Sequence, residues 1–263
     1  MQFLDSLAIT ALAVGAALVG CGGSKPYCVP PPPGFDVVIG GDAALRSALV
    51  ADANAGVARI EAFFGAPFAR RFEFRVFDDR ASLDVHWGER ANDPDLRTEC
   101  RMVGMGMADE LSILSPARWR DQACDHDPQD SRAIAALVAH ELVHTYHSQR
   151  NATVNDEAEA MAWFVEGLAV VASGQLADGH LAPAIEAVRA GAPAHLADAW
   201  KGKYRYGVSG SLVAYVDATR GRATIVRMLE ARTPSKLLAL LGLDEATLLE
   251  RWRAWERARS VRP

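Results

Sequence analysis

Apolar positions recur at helical spacing through "AALRSALVADANAGVARIEAFF", residues 43–64, and the period then shortens to two in "RFEFRVF", residues 71–77. That change predicts a helix followed by a half-buried strand with Phe72, Phe74 and Val76 on its inner face. A short helix from Asp79 to Trp87 and a second strand over "LSILSPA", residues 111–117, are expected next, ahead of "RW" and the acidic loop "DQACDHDPQD". Helical spacing returns from about Ser131 to Arg150 and again from near Asn155 through "WFVEGLAVVAS". Beyond Gly191, "GRATIVRMLEAR", "TPSKLLALLGL" and "DEATLLERWRAWERARS" show helix starts and apolar spacing that predict a C-terminal bundle flooring a cleft, with Trp252 and Trp255 in its core. No internal repeat is present. The chain therefore predicts an α+β fold, with a small N-terminal mixed α/β part carrying a sheet and a mainly helical C-terminal part.

With 263 residues, 50% of them hydrophobic, the chain can bury one substantial core. The net charge of -5 is mild, and arginines are interspersed with acidic residues. No basic stripe forms, which sets nucleic acid aside as a partner.

The first twenty residues stand apart from the rest. "LAITALAVGAALVG" is too short to span a bilayer, which takes about twenty apolar residues, and reads as the core of a signal peptide over residues 1–20. Its end, Leu18-Val19-Gly20-Cys21, resembles the lipobox of bacterial lipoproteins. That resemblance implies that Cys21 is acylated and anchors the mature chain in a membrane, and Gly22 after it leans towards the outer membrane of the cell envelope. The run departs from the pattern in having Asp5 and no Lys or Arg before it. Residues 21–34, with "GGSKPYCVPPPPG", read as a Gly/Pro-rich tether, so the folded domain is expected over 35–263.

Once Cys21 is given to lipid, Cys28, Cys100 and Cys124 remain. Export makes disulfides plausible. Cys100 and Cys124 bracket the second strand and precede the next helix, so their pairing is the favoured one, with Cys28 in the tether as the competing partner.

In the helix from Ser131, Ala135, Val138, Ala139, Leu142, Val143 and Tyr146 fall on one broad apolar side, while His140, His144 and His147 fall together on the other. Two imidazoles at i and i+4 lean the same way and can reach one cation at about 2.0–2.1 Å from each nitrogen. Glu141 is displaced round the helix, where it reaches a water near the metal without ligating it. "HELVH" is thus the H-E-x-x-H arrangement of zinc peptidases, and Zn²⁺ is the expected cofactor.

Twenty-two residues after His144 comes Glu166 in "WFVEGLAVVAS", followed by Gly167, which permits close helix approach. The pair of segments resembles the gluzincin branch of the zincin metallopeptidases, in peptidase-MA-like bacterial lipoproteins, across roughly residues 70–230. The resemblance implies a zincin-like fold and a His140/His144/Glu166 metal site. Glu159, seven residues before Glu166, is the rival third ligand, with a solvated first-turn carboxylate as its alternative. His147 is a weaker rival. Its expected role is lining the cleft or bonding a substrate carbonyl, with a supporting position near the ligands or simple exposure as alternatives.

From such a site follows hydrolysis by metal-activated water, with Glu141 as general base. An oxyanion donor is offered by "KYRYGVSGSLVAYVDATRG", which resembles the segment after the glutamate helix in those proteins, where a tyrosine precedes a small-residue turn and a helix ending in glycine. Tyr206 is the candidate and Tyr204 its substitute. At one position the pattern is broken. Thermolysin-like members place an aspartate four residues after the ligand glutamate to orient a zinc-bound histidine, and here Val170 stands there. Another carboxylate, Asp156 or Glu157 among them, or a backbone carbonyl is expected to do that work.

The sequence thus points to a lipid-anchored zinc metallopeptidase acting on a peptide or protein substrate, expected to be a monomer. The alternatives are a non-catalytic envelope scaffold that retains a zincin fold, and a zinc hydrolase of non-protein amides. His86, His126, His180 and His195 have no partner at ligand spacing and are expected to be surface or core.

Overall fold

The computed structural model describes residues 34–39, 43–151 and 158–260, with side chains except at 37–39, 43, 158–160 and 260. The signal run, Cys21, Cys28 and most of the tether, together with Asp156, Glu157 and the Glu159 side chain, lie outside what is described.

The fold is α+β, with a small mixed sheet and a mainly helical C-terminal part. Strand β1 (Phe35–Ile39) leads into α1 (Ala43–Phe64), and β2 (Phe72–Phe77) returns parallel to β1. Helix α2 (Arg80–Ala91) follows, capped by the Asp79 carboxylate, which accepts from the Ser82 N–H. It runs a turn beyond the expected end at Trp87, until Asn92 terminates it in the left-handed conformation at φ 53°. Strands β3 (Gly104–Met107) and β4 (Glu110–Leu114) form an antiparallel hairpin, and β4 lies parallel to β2, giving the order β1-β2-β4-β3. Strand β4 stops at Leu114, three residues before the expected end, because Pro116 has no N–H to continue a ladder and opens a 3₁₀ turn, Pro116–Arg118, leading into the short α3 (Trp119–Gln122).

As the alternation predicted, Phe72, Phe74 and Val76 are buried, and β4 is buried along its whole length. Above the sheet lie α1, through Leu49, Ala53, Ile60 and Phe64, and α4 (Ser131–Ser148). Tyr146 of α4 stacks on Phe64 of α1 with ring centroids 4.3 Å apart. Each such ring or leucine withdrawn from water contributes about 1.5–3 kcal/mol, so this layer is what fixes α4 in place.

The C-terminal part is mainly helical: α5 (Ala158–Ser173), a π turn at Leu176–His180, α6 (Leu181–Arg189), α7 (Arg205–Arg220), α8 (Arg222–Met228), α9 (Pro234–Leu241) and α10 (Glu245–Ser260). Trp252 is fully buried, and its indole N–H donates to Ser211 Oγ at 2.9 Å. The small residues of "GVSGS", expected as a turn, are instead the first turns of α7. They serve close packing: a Cβ on Gly167 of α5 would stand 2.3 Å from the Ser209 carbonyl oxygen, and one on Gly210 would stand 2.6 Å from Val170. No described helix is long and apolar enough to cross a membrane.

Candidate metal centre

Helix α4 starts at Asp130, whose carboxylate accepts from the N–H groups of Arg132 and Ala133. It ends tied to the C-terminal part. His147 Nε2 bonds the Leu229 carbonyl at 3.0 Å, and Asn151 Nδ2 donates to the Ala231 carbonyl at 3.0 Å. With both ends held and Tyr146 and Leu142 buried beneath, His140 and His144 are presented towards α5.

There they meet Glu166. One donor atom each from His140, His144 and Glu166 lies within 4.8 Å of the other two, so this partly buried group can hold a metal ion. Glu166 Oε2 is 3.3 Å from His140 Nε2 and 3.7 Å from His144 Nε2. Charge follows from that proximity. Burial opposes protonation of His144, but the Glu166 and Glu141 carboxylates overcome it and raise its pKa to about 9. Burial likewise pushes Glu166 up, and the two imidazoles outweigh it, holding the carboxyl well below the usual range.

The orienting partner of His140 is neither a carboxylate nor a backbone carbonyl, as the sequence led us to expect, but the side-chain amide of Gln175. Its Oε1 lies 2.8 Å from His140 Nδ1. An amide oxygen only accepts, so Nδ1 carries a hydrogen, and Nε2, which faces the accepting Glu166 carboxylate at 3.3 Å, is the nitrogen that would turn its lone pair to a bound metal. This tautomer fits a metal ligand. Gln175 reaches His140 because α5 ends at Ser173 and the chain turns through Gly174 at φ +93°.

Glu141 is 8% exposed and outside the ligand group, beneath strand β3. A Cβ at Gly104 would fall 2.8 Å from Glu141 Cγ, and one at Gly106 would fall 2.0 Å from the Glu141 carbonyl oxygen. Only glycine lets the hairpin lie this close to the motif helix. The alternating glycines of "GMGM" were the sequence signal for it, one that low strand propensity hides.

Tyr206, in the first turn of α7, has its ring centroid 6.3 Å from that of His140 and stacks on His180 at 5.3 Å. Burial and then the Glu166 carboxylate raise its pKa, so the hydroxyl stays protonated at neutral pH. Tyr204 is turned elsewhere, its hydroxyl donating to Glu186 at 2.5 Å. His147 is 1% exposed, packed edge-on against Phe164 and committed to Leu229. The expectation that it lines the cleft gives way to a packing role, because one more turn of α4 carries it past the opening.

A cavity of about 330 Å³, whose lining includes Ala133, Ala136, Leu137, Gln175, Asp178 and His180, meets the metal group through Gln175, the partner of His140. His180, expected to be surface or core, thus joins the site through Tyr206 and this cavity. No signal at ligand spacing could have found it or Gln175, since both depend on the turn after α5. The favoured disulfide is present: Cys100 and Cys124 are bonded, with Cα atoms 5.3 Å apart. No protein-family model matches this chain, and neither do any curated protein or solved structure.

Proposed function

We propose that the chain is a zinc-dependent hydrolase of peptide bonds. The observation that carries this is the convergence of His140, His144 and Glu166, with Glu141 buried beside them and outside the ligand set. A purely structural site has no use for that second carboxylate. Two imidazoles and a carboxylate suit zinc, which when bound supplies a Lewis acid that acidifies water and polarises a carbonyl.

The protein's own groups do the rest. Glu141 takes the proton of the attacking water and passes it to the departing amine. The neutral Tyr206 hydroxyl donates to the substrate carbonyl oxygen as charge develops there. Peptide is favoured as substrate because β3 has no strand partner on its outer side among the described residues, and an extended chain can add to such an edge through main-chain hydrogen bonds. If Cys21 carries lipid, this chemistry takes place at the cell envelope.

Zinc content and cleavage of a mixed peptide library by the purified chain test the proposal. Wild type should hold one zinc and cleave, Glu166→Ala should lose the metal, and Glu141→Gln should keep it while losing activity by about 10²–10⁴-fold. A wild-type chain that takes up no zinc on reconstitution would overturn the reading. Zinc without cleavage would favour a binding role.

A further inference from the structure

Resting on the hydrolase reading, we infer that Arg205 is the residue that selects the substrate, by binding the free terminal carboxylate of a peptide one residue beyond the bond to be cut. The site would then remove C-terminal residues.

Arg205 opens α7 immediately before Tyr206. Its guanidinium lies 5.4 Å from the Trp200 ring and 5.2 Å from the Tyr206 ring, and the Arg205 side chain hydrogen-bonds the Tyr206 hydroxyl, which leaves the charge without a carboxylate. The tyrosine in turn senses Glu166 and Glu141, so Arg205 sits one side chain away from the reacting centre. Four arginines have a buried Nε without a hydrogen-bond partner: Arg75, Arg205, Arg253 and Arg259. Three of them have a carboxylate or carbonyl partner for the guanidinium. Arg75 pairs with Glu73 and Glu110, Arg253 donates to the Pro193 carbonyl, and Arg259 pairs with Glu256. For Arg205 no carboxylate lies within ion-pair distance among the described residues.

A partly buried cation without a counter-ion is costly unless an anion arrives to share it. A guanidinium braced by two rings is also pre-organised for a planar, bidentate anion, which a carboxylate is. The reach is right as well. A residue spans about 3.3–3.6 Å, so a carboxylate on Arg205 leaves the preceding peptide carbonyl near Tyr206.

The test is equilibrium binding of acetyl-Ala-Phe and of its C-terminal amide to the metal-free full chain, by calorimetry, where no cleavage interferes. Wild type should bind the free acid at least tenfold more tightly, Arg205→Gln should erase that preference and Arg205→Lys should keep part of it. Equal binding of acid and amide by wild type overturns the inference, as does a preference that survives in Arg205→Gln. Should that variant not fold, the wild-type comparison alone decides. Zinc-loaded wild type supplies the second arm. Cleavage of amidated peptides as fast as free acids sinks this inference and leaves the hydrolase reading standing. A chain that never cleaves yet prefers the acid does the reverse.

Discussion

His140 Nδ1 and Gln175 Oε1 lie 2.8 Å apart, joining the helix that carries the histidines to the turn that follows the glutamate helix. The contact fixes which nitrogen of His140 faces Glu166. Replacing Gln175 by Ala should weaken zinc binding about 10–100-fold, and Gln175→Glu, which keeps an acceptor, should restore much of it. Competition against a chelator measures this directly. Unchanged affinity in Gln175→Ala would mean that the ring is held by packing alone.

Gly104 and Gly106 separate the structural from the functional use of one strand. At Gly106 an added Cβ meets the backbone of α4, 2.0 Å from the Glu141 carbonyl oxygen and 2.9 Å from the Thr145 nitrogen. Backbone cannot step aside, so Gly106→Ala should cost about 2 kcal/mol or more and lower the melting temperature by several degrees. At Gly104 the added atom meets the Glu141 side chain instead. Gly104→Ala should therefore displace Glu141, the proposed general base, and lower activity more than stability. Thermal melts beside kinetics on the same two proteins check the contrast.

His147 should govern part of the acid limb of stability. Burial lowers its pKa from 6.5 to about 4, against a raising contribution from the Leu229 carbonyl and with smaller lowering ones from His144 and Arg150. Because the folded value is depressed, the unfolded chain binds the extra proton first. The stability is full above pH 6.5 and is lost as pH falls towards 4, on the order of 3 kcal/mol. His147→Gln keeps a donor for Leu229 without the titration. Urea unfolding at pH 7 and pH 4.5 should show a smaller acid loss for the variant, and an equal loss would place the titration elsewhere.

Cys100 and Cys124 close a loop that contains β3 and β4, with a sequence separation of 24. The double replacement by serine should cost about 2–4 kcal/mol through the freer unfolded chain. Denaturant unfolding of oxidised wild type and variant measures it. Part of the loop should persist regardless, since Arg80 donates to the carbonyls of Glu99, Cys100 and Met102.

What the sequence determined by itself was everything that local periodicity encodes. The bounds of α1 at 43–64, the buried face of β2 and the helical spacing of His140 and His144 follow from side chains a few residues apart, whose placement needs no distant partner. Pairing of Cys100 with Cys124 was favoured by where their segments sit, with Cys28 left as a competitor that the structure excludes as their partner. Strand β1 is too short to show a period and exists because β2, more than thirty residues on, lies parallel to it. Strand β3 exists because β4 pairs with it and α4 accepts its glycines at close range. Tertiary structure alone decided that Gln175 orients His140, that His147 is turned into the core, that His180 and Arg205 gather at Tyr206, and that Tyr204 does not. Each of these depends on how helices pack across the chain, and packing is set by the shapes of surfaces brought together only in the folded state.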